Sequence, residues 1–522
     1  MRPELTVPRE SGAGAAALIR LLVLPFLLGA AAVAGFAPFY LYPLPILALS
    51  GLLLFWERSR DSRSAATIGL SFGLGMFLVG VSWVYVSLHD YGGMGMLTAA
   101  TFTLVFCAIP ACYPALIGAI LKRVPASRPV RLLFFFPALW ALSEWVRGWL
   151  FTGFPWLALG YSQAPASPLA GFAPLLGVFG VSLVGAIVAA ALASAVIRIS
   201  EGPQQQMALP IREPGIWIIV ALLLAGMALS REKWTQPLAG EPTKVALLQG
   251  NIPQAMKWQP ERARATLDTY LNLAQSVQAR LIVLPETALP MFNVHVPGAY
   301  LQMLADQGLR NGGDVLVGVP ELHPSGRHYN SVMSFGSAPT QTYRKHHLVP
   351  FGDYFPLRSV LGWIMELMHI PMSDFSRGDP VQRPLQVAGQ KIAVNICYED
   401  VFGEEIIRQL PEATALANFT NDAWWGKSLA SEQHLQIAQM RAIETGRPML
   451  RATNTGVTAI IDPKGRILAS APEFTTTAVV GEIRGYQGAT PYVRAGNRAF
   501  LALAALMIAV PLAVRWGSRR RV

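Results

Sequence analysis

Eight apolar runs, at about 17–36, 38–56, 65–88, 96–121, 132–151, 173–197, 215–230 and 499–514, break up the sequence and leave one long polar stretch between the last two. A bilayer core about 30 Å thick is crossed by roughly 20 mostly apolar helical residues, so each run reads as a membrane-spanning helix. The second is shortened by Pro38, Pro43 and Pro45, and the last two are short but cleanly flanked. A soluble core would not need these runs, and the chain is 14% charged where soluble domains carry about 25%. Most of the charge falls in residues 231–497, which read as an ordinary soluble domain. The expected division is a membrane domain at 1–230 with seven spans, an extramembrane domain at 231–497, and a last span with its tail at 498–522. The first run is not a signal peptide: further spans follow at once, and it exceeds a normal h-region.

Orientation follows from the arginines and lysines in short loops. Arg2, Arg9 and Arg20 lie in the amino-terminal tail and at the start of span one; Arg58, Arg60 and Arg63 follow span two. Lys122, Arg123, Arg128 and Arg131 follow span four, Arg198 and Arg212 follow span six, and Arg515, Arg519, Arg520 and Arg521 close the chain. The alternate loops, near 37, 89–95 and 152–172, have none. With eight spans every basic segment lies on one side, so both termini are expected in the cytoplasm and the 231–497 domain outside it. The net charge of +11 is largely this topological arginine. No basic stripe with interleaved aromatics points to nucleic acid.

Cys107 and Cys112 fall inside span four and read as packing residues. Cys397 has no partner in its own domain, and a lone thiol in an oxidising compartment is a candidate reactive group. Glu144 and Arg147, three apart near the outer end of span five, share a helix face. Two readings stay open for them: a structural ion pair, or the lining of a lipid headgroup site.

The 231–497 stretch alternates short apolar runs with helical segments. Val245–Leu248, Leu281–Leu284, Asp314–Val319, Ile392–Ile396 and Ala413–Asn418 read as buried strands, and 260–280, 297–310 and 431–446 as helices, with paired strands near 328–345 and 448–461. This is an α/β layered domain. An acid stands at one strand end (Leu284-Pro285-Glu286), a thiol at another (Ile396-Cys397-Tyr398-Glu399), and a lysine in Tyr343-Arg344-Lys345-His346-His347. A thiol needs a base to become a nucleophile, which Glu286 can be, and a cation near it, which Lys345 can be. Each signal has a bland alternative: a surface acid, a solvated lysine, a core cysteine. Their joint occurrence is what points to acyl transfer. His346 and His347 are adjacent rather than at ligand spacing, so no metal is expected, and no cofactor is implied.

The Glu286, Lys345, Cys397 order resembles the nitrilase superfamily. The resemblance narrows to the apolipoprotein N-acyltransferase family through Gln249-Gly250-Asn251-Ile252-Pro253-Gln254 with Lys257-Trp258, and through His347-Leu348-Val349-Pro350-Phe351-Gly352. Asn418-Phe419-Thr420-Asn421-Asp422-Ala423-Trp424-Trp425 and Arg451-Ala452-Thr453-Asn454-Thr455-Gly456 carry it further, as do Trp145-Val146-Arg147-Gly148-Trp149 and Gly153-Phe154-Pro155-Trp156 in the membrane part. The resemblance implies an αββα sandwich over eight transmembrane helices, in the bacterial inner membrane with the sandwich in the periplasm. It implies a ping-pong reaction: Cys397 takes an acyl chain from the sn-1 position of a phospholipid, phosphatidylethanolamine being typical, and passes it to the α-amino group of a diacylglyceryl-modified apolipoprotein cysteine. A monomer is expected.

By the same resemblance Glu286 shuttles protons, while Lys345 and the Tyr398 backbone N–H hold the oxyanion. Glu399 is expected to orient Lys345. Tyr398 is either a supporting ring or a direct contact, and Trp258 matches a tryptophan on a mobile loop near the site, a plain core role being its alternative. One position departs: the family usually reads Gly-Glu-Tyr where this chain has Gly352-Asp353-Tyr354, so the acid is one methylene shorter. Residues 355–373 are too apolar for an exposed loop and too broken for a span, which points to an arm lying on the bilayer, with a buried helix of the domain as the alternative. Two rivals remain: a membrane-anchored amidase using the same triad with water as second nucleophile, and a non-catalytic scaffold. Seven preceding spans argue against the first and an intact triad against the second.

Overall fold

A computed structural model describes residues 19–201, 213–355 and 374–519. Apart from Phe355, the expected bilayer arm at 355–373 lies outside the described residues. The membrane part is built from α1 (Leu24–Ala32), α2 (Pro43–Arg58), α3 (Ser62–Gly80), α4 (Met96–Arg123), α5 (Phe136–Arg147), α6 (Ala173–Glu201) and α7 (Pro214–Leu229). Among the described residues, five helical segments are long and apolar enough to cross a membrane: Ser62–Gly80, Met96–Arg123, Arg128–Arg147, Pro168–Glu201 and Arg498–Trp516. Leu21–Gly35 and Pro214–Leu229 are apolar but shorter, and α2 has 16 residues.

Small residues set the packing of these helices. A methyl group at Gly73 would sit 2.6 Å from the Ala111 Cα, and one at Gly75 would meet the Phe26 carbonyl. The two glycines thus bring α3 against α4 on one side and α1 on the other, contact that dispersion rewards in lipid. Arg128 bridges Glu57 at 3.2 Å and Glu201 at 2.6 Å, so the segments after α2, α4 and α6 gather at one end of the bundle.

Three features of the apolar runs differ from expectation. The third run was expected as one helix to 88, but its helix stops at Gly80 and restarts at Trp83, running through Val86 into a π-helical segment, Ser87–Tyr91. The cause is tertiary: the Trp83 ring packs 5.2 Å from both Trp156 and Trp425. The fifth run ends at Arg147 rather than 151, and Gly153, at φ +87°, turns the chain back. The sixth is broken at Gly177, at φ +68°, where the Val178 N–H donates to Glu444 of the 231–497 part. Glu144 and Arg147 form no ion pair with each other within 4 Å and take other partners. Glu144 accepts from the Trp140 indole and the Leu159 amide, and Arg147 donates to the Phe154 and Trp156 carbonyls. Both side chains pin the 153–159 loop instead of pairing.

Among the described residues, the part between α7 and the C-terminal helix has fourteen strands. They are β1 (Thr235–Pro237), β2 (Thr243–Gln249), β3 (Leu281–Val283), β4 (Asp314–Leu322), β5 (His328–Gly336), β6 (Thr342–Arg344) and β7 (Leu385–Val387), then β8 (Gln390–Ile396), β9 (Ala415–Thr420), β10 (Met449–Thr453), β11 (Ala459–Ile461), β12 (Ile467–Ser470), β13 (Thr477–Ile483) and β14 (Tyr486–Gly488). Two six-stranded sheets run β13-β2-β3-β4-β5-β6 and β12-β11-β10-β9-β8-β7, and β1 pairs with β14. The inner strands β2, β3, β4 and β8, β9, β10 are parallel. That is why they appear in the sequence as continuous apolar runs: both faces are covered.

Alternation then sorts each strand. Val245 and Leu247 meet Ile392, Val394, Ile396, Ala417 and Phe419 between the sheets. Ala246 and Leu248 point outward to α8 (Pro260–Gln275) and α9 (Gly298–Arg310). Ala393 and Leu416 point outward to α10 (Ala430–Thr445). The layers are helix, sheet, sheet, helix.

Helix α10 is the joint between the two parts. Its apolar residues Leu435, Ala438 and Ala442 cover the sheet. Its other side carries Gln433, Gln436 and Gln439, three apart on one face, and all three are buried. Gln433 accepts from the Trp156 indole, Gln436 accepts from Ala37 N and donates to Ala164 O, and Gln439 accepts from the Tyr40 hydroxyl. The chain returns to the bundle through α11 (Arg498–Arg519).

Candidate active site

Three strand ends converge at one rim of the sandwich. Glu286 lies three residues beyond β3, Lys345 directly after β6, and Cys397 directly after β8. Parallel strands fray into loops at their carboxyl ends, where side chains are free to face a ligand. Gly318 on β4 is what lets the Pro285–Glu286 backbone come close: a methyl group there would collide with the Pro285 carbonyl. Cys397 has φ +52°, in the left-handed region that a non-glycine residue seldom adopts. It stands at the head of a short 3-10 turn, Cys397–Val401.

The charges are arranged around Lys345. Its ammonium lies 2.7 Å from Asp353 Oδ2 and 3.7 Å from Glu286 Oε1, and its side chain is 2% exposed. Burial alone would lower its proton affinity, but the carboxylates of Asp353 and Glu286 outweigh that and hold it well above the ordinary lysine range. Lys345 is therefore a fixed cation and not a base. Glu286 Oε1 also accepts from Asn330 Nδ2 at 2.7 Å, while Oε2 accepts from no described residue. Burial pushes the Cys397 thiol up, the Glu286 charge adds to this, and Lys345 and the Thr420 hydroxyl act in the opposite sense without overcoming it. The group at rest is the thiol, so nucleophilic attack needs a base that takes its proton in the same step.

Of the expected supporting residues, Asp353 is the best placed. Its carboxylate holds Lys345 and also accepts from the Val349 amide at 2.8 Å. The shorter side chain reaches because the 349–353 turn closes on itself, with Asp353 N donating to Val349 O. Glu399 was expected to orient Lys345; its carboxylate makes no hydrogen bond to Lys345 and is held by four other groups. Its Oε1 accepts from His346 N and His347 N, and its Oε2 from Ile396 N and the Tyr343 hydroxyl. One buried carboxylate thus ties the segment around Lys345 to the strand end that carries Cys397. Burial pushes its pKa up to about 7.

The Tyr398 side chain turns away from the chemistry. Its hydroxyl donates to Gly153 O, and its ring stacks on Trp156 at 6.5 Å and meets Phe402 edge-on at 5.3 Å. Its side chain thus joins the residue after Cys397 to the 153–156 loop and to Phe402. Trp258 is half-buried on the 254–259 segment, and it is its neighbour that enters the site. Lys257 is 3% exposed and donates to the Glu286 carbonyl at 3.2 Å. Burial lowers its pKa to about 8, partly opposed by Glu286 and Cys397.

Sequence reasoning missed Lys257 and Asn330. The signal for Asn330 is a polar residue on a buried strand, next to Ser331 and across from Pro320. For Lys257 it is only adjacency to Trp258. Among the described residues no cluster of three or more metal-ligating side chains is present.

Residues 28–191 match the apolipoprotein N-acyltransferase N-terminal domain family, and residues 244–492 match the carbon-nitrogen hydrolase family. Apolipoprotein N-acyltransferase of Nitrosomonas europaea is 51% identical over 96% of this chain and 98% of its own length. That of Methylococcus capsulatus is 44% identical over 92% of this chain and 94% of its own. That of Chromobacterium violaceum is 44% identical over 97% and 95%.

Proposed function

Because the chain belongs to the apolipoprotein N-acyltransferase family, we propose that it moves the sn-1 acyl chain of a phospholipid, through a thioester on Cys397, to the α-amino group of a diacylglyceryl-cysteine at the start of an apolipoprotein. The chain is an acyltransferase of lipoprotein maturation with a nitrilase-like catalytic fold and apolar helices suited to a membrane. Phosphatidylethanolamine is the donor proposed, and the enzyme acts as a monomer.

The observation that carries the chemistry is the Lys345 ammonium held between Asp353 and Glu286 beside the Cys397 turn. Glu286 takes the thiol proton as sulfur attacks the ester carbonyl. Negative charge develops on the carbonyl oxygen between the Lys345 ammonium and the Tyr398 backbone N–H. Collapse breaks the bond to glycerol, and Glu286 returns its proton to the departing alkoxide, releasing a lysophospholipid. The incoming amine then attacks the thioester, Glu286 accepts its surplus proton, and the thiolate leaves to be reprotonated. Asp353 keeps Lys345 charged and in place through both halves.

The arrangement in the membrane follows the arginine pattern. Residues 1–230 supply seven spans and 498–522 the eighth, with residues 231–497 as a periplasmic domain and both termini in the cytoplasm of a bacterial inner-membrane protein. Two features favour this. The basic segments after α2, α4 and α6 meet at one end of the bundle, and α10 docks on segments near 37–40 and 156–164 that lack lysine and arginine.

The deciding experiment is intact-mass spectrometry after incubation with phosphatidylethanolamine alone, with Cys397→Ala as control. The expected result is a hydroxylamine-sensitive acyl adduct on Cys397 that a diacylglyceryl-peptide with a free amine discharges. An active enzyme with no adduct, whose Ala variant still acylates the peptide, would overturn the cysteine route.

A further inference from the structure

A second group of buried charges lies against the Cys397 turn and has no part in the steps above. Asp400, Asp422, His434 and Arg451 are each at most 1% exposed. They come from four elements: the Cys397–Val401 turn, the turn after β9, α10 and β10. His434 Nε2 lies 2.7 Å from Asp400 Oδ1, and Nδ1 lies 3.2 Å from Asp422 Oδ1. A neutral imidazole carries one N–H, so one of its lone pairs would face a carboxylate oxygen inside the protein. Only the imidazolium satisfies both contacts. Burial and Arg451 oppose that charge, yet the two aspartates outweigh them and raise the pKa of His434. Arg451 completes the group, with Nη2 2.9 Å from Asp422 Oδ2 and Nη1 3.5 Å from Asp400 Oδ2. Two carboxylates and two cations make a neutral ring, the condition under which four ionised groups tolerate loss of water.

The ring reaches the nucleophile by two routes. Asp400 belongs to the turn that Cys397 opens. Arg451 Nη1 also donates to Asn418 Oδ1 at 2.7 Å, and Asn418 Nδ2 donates to the Cys397 carbonyl at 3.1 Å and to Asn395 Oδ1 at 2.6 Å. The Cys397 backbone at φ +52° is a conformation that persists only where the surroundings over-determine it. These contacts hold it from both sides of the residue.

Resting on the acyl-transfer reading above, we propose that His434 is a positioning residue: as an imidazolium it closes the ring with Asp400, Asp422 and Arg451, and so holds Cys397 in the left-handed conformation from which its sulfur attacks. Charge balance, not shape, is what the ring needs. His434→Gln leaves it with one negative charge too many, Asp400→Asn with one positive charge too many, and the double variant restores neutrality with a Gln–Asn contact.

The test uses the full-length enzyme in detergent and follows two rates: thioester formation from phosphatidylethanolamine, and alkylation of Cys397 by iodoacetamide, read on the Cys397 peptide. Each single variant is expected to slow thioester formation by about 100-fold, the cost of a small misplacement of a reacting atom, with the KM for lipid little changed. The double variant should recover about 10-fold over Asp400→Asn, the signature of coupled groups. If His434→Gln does not fold, the comparison of Asp400→Asn with the double variant decides alone. A double variant no faster than Asp400→Asn overturns the proposal. If wild-type enzyme forms no thioester at all, the acyl-transfer reading fails, and the alkylation rates still report whether His434 positions Cys397.

Discussion

Asp353 Oδ2 sits 2.7 Å from the Lys345 ammonium and 2.8 Å from the Val349 amide. A single carboxylate oxygen therefore fixes both the charge of the lysine and the turn that brings the carboxylate to it. Asp353→Asn removes the charge and keeps the shape. It is expected to lower kcat for acyl-enzyme formation by about 100-fold, in the range seen when one oxyanion-stabilising group is disturbed. Asp353→Glu should retain more activity than the Asn variant, since it keeps the charge. Single-turnover thioester formation measures both, and an Asn variant equal to wild type would remove Asp353 from the site.

Lys257 predicts a pH effect of known sign. Its pKa in the folded chain is about 8, below the ordinary 10.5. Between those values the folded state binds fewer protons than the unfolded state, so stability rises with pH there. Below about 8 the buried ammonium imposes its full cost. Lys257→Met is expected to raise the apparent melting temperature at pH 7 and to change it little at pH 10. If the melting temperature of Lys257→Met falls equally at both values, the lysine is not a buried charge at cost.

Glu399 accepts four hydrogen bonds that join the Lys345 and Cys397 segments. A glutamine offers one oxygen and places an amide N–H₂ against two of those donors. Leaving buried donors unpaired costs about 1–3 kcal/mol each. Glu399→Gln should lower both thermal stability and kcat while leaving the KM for the lipid near the wild-type value. Loss of lipid affinity with kcat intact would show that Glu399 serves binding instead.

Gln436 links α10 to the membrane part by accepting from Ala37 N and donating to Ala164 O. Gln436→Leu keeps the volume and strands both backbone groups, at about 1–3 kcal/mol each. Differential scanning calorimetry in detergent should show a clear drop in melting temperature, by about 2–4 °C per kcal/mol for a domain of this size. An unchanged melting temperature would mean that water already satisfies these groups.

Much of this site is legible in the order of residues along the chain. Glu286 and Cys397 stand at the ends of apolar runs, and buried parallel strands make such runs, so strand ends and chemistry coincide there in the sequence, whereas Lys345 follows a polar edge strand and is legible only from its motif. Asp353 is legible too, as an acid in a recognisable position. Other features are not. Gln433, Gln436 and Gln439 would pass for the wet face of an amphipathic helix, and only the bundle beneath them makes that face buried. Lys257 reads as a surface lysine because burial is a property of what surrounds a residue. The break at Gly177 and the stop at Gly80 sit within apolar runs whose hydropathy carries no mark of them.

The sequence by itself determined the apolar runs and the α/β layering, and it offered Glu286, Lys345 and Cys397 as candidate reacting groups, because each is written in local properties: hydropathy, period and residue type; the sandwich was what the family resemblance implied. Tertiary structure alone decided which charges meet. Whether Glu399 touches Lys345 or accepts from the His346 and His347 amides beside it, whether Glu144 pairs with Arg147 or pins a loop, and whether His434 is charged all depend on groups distant in the chain. Electrostatic energy depends on separation in space and on the exclusion of water, and neither is set by neighbours in sequence.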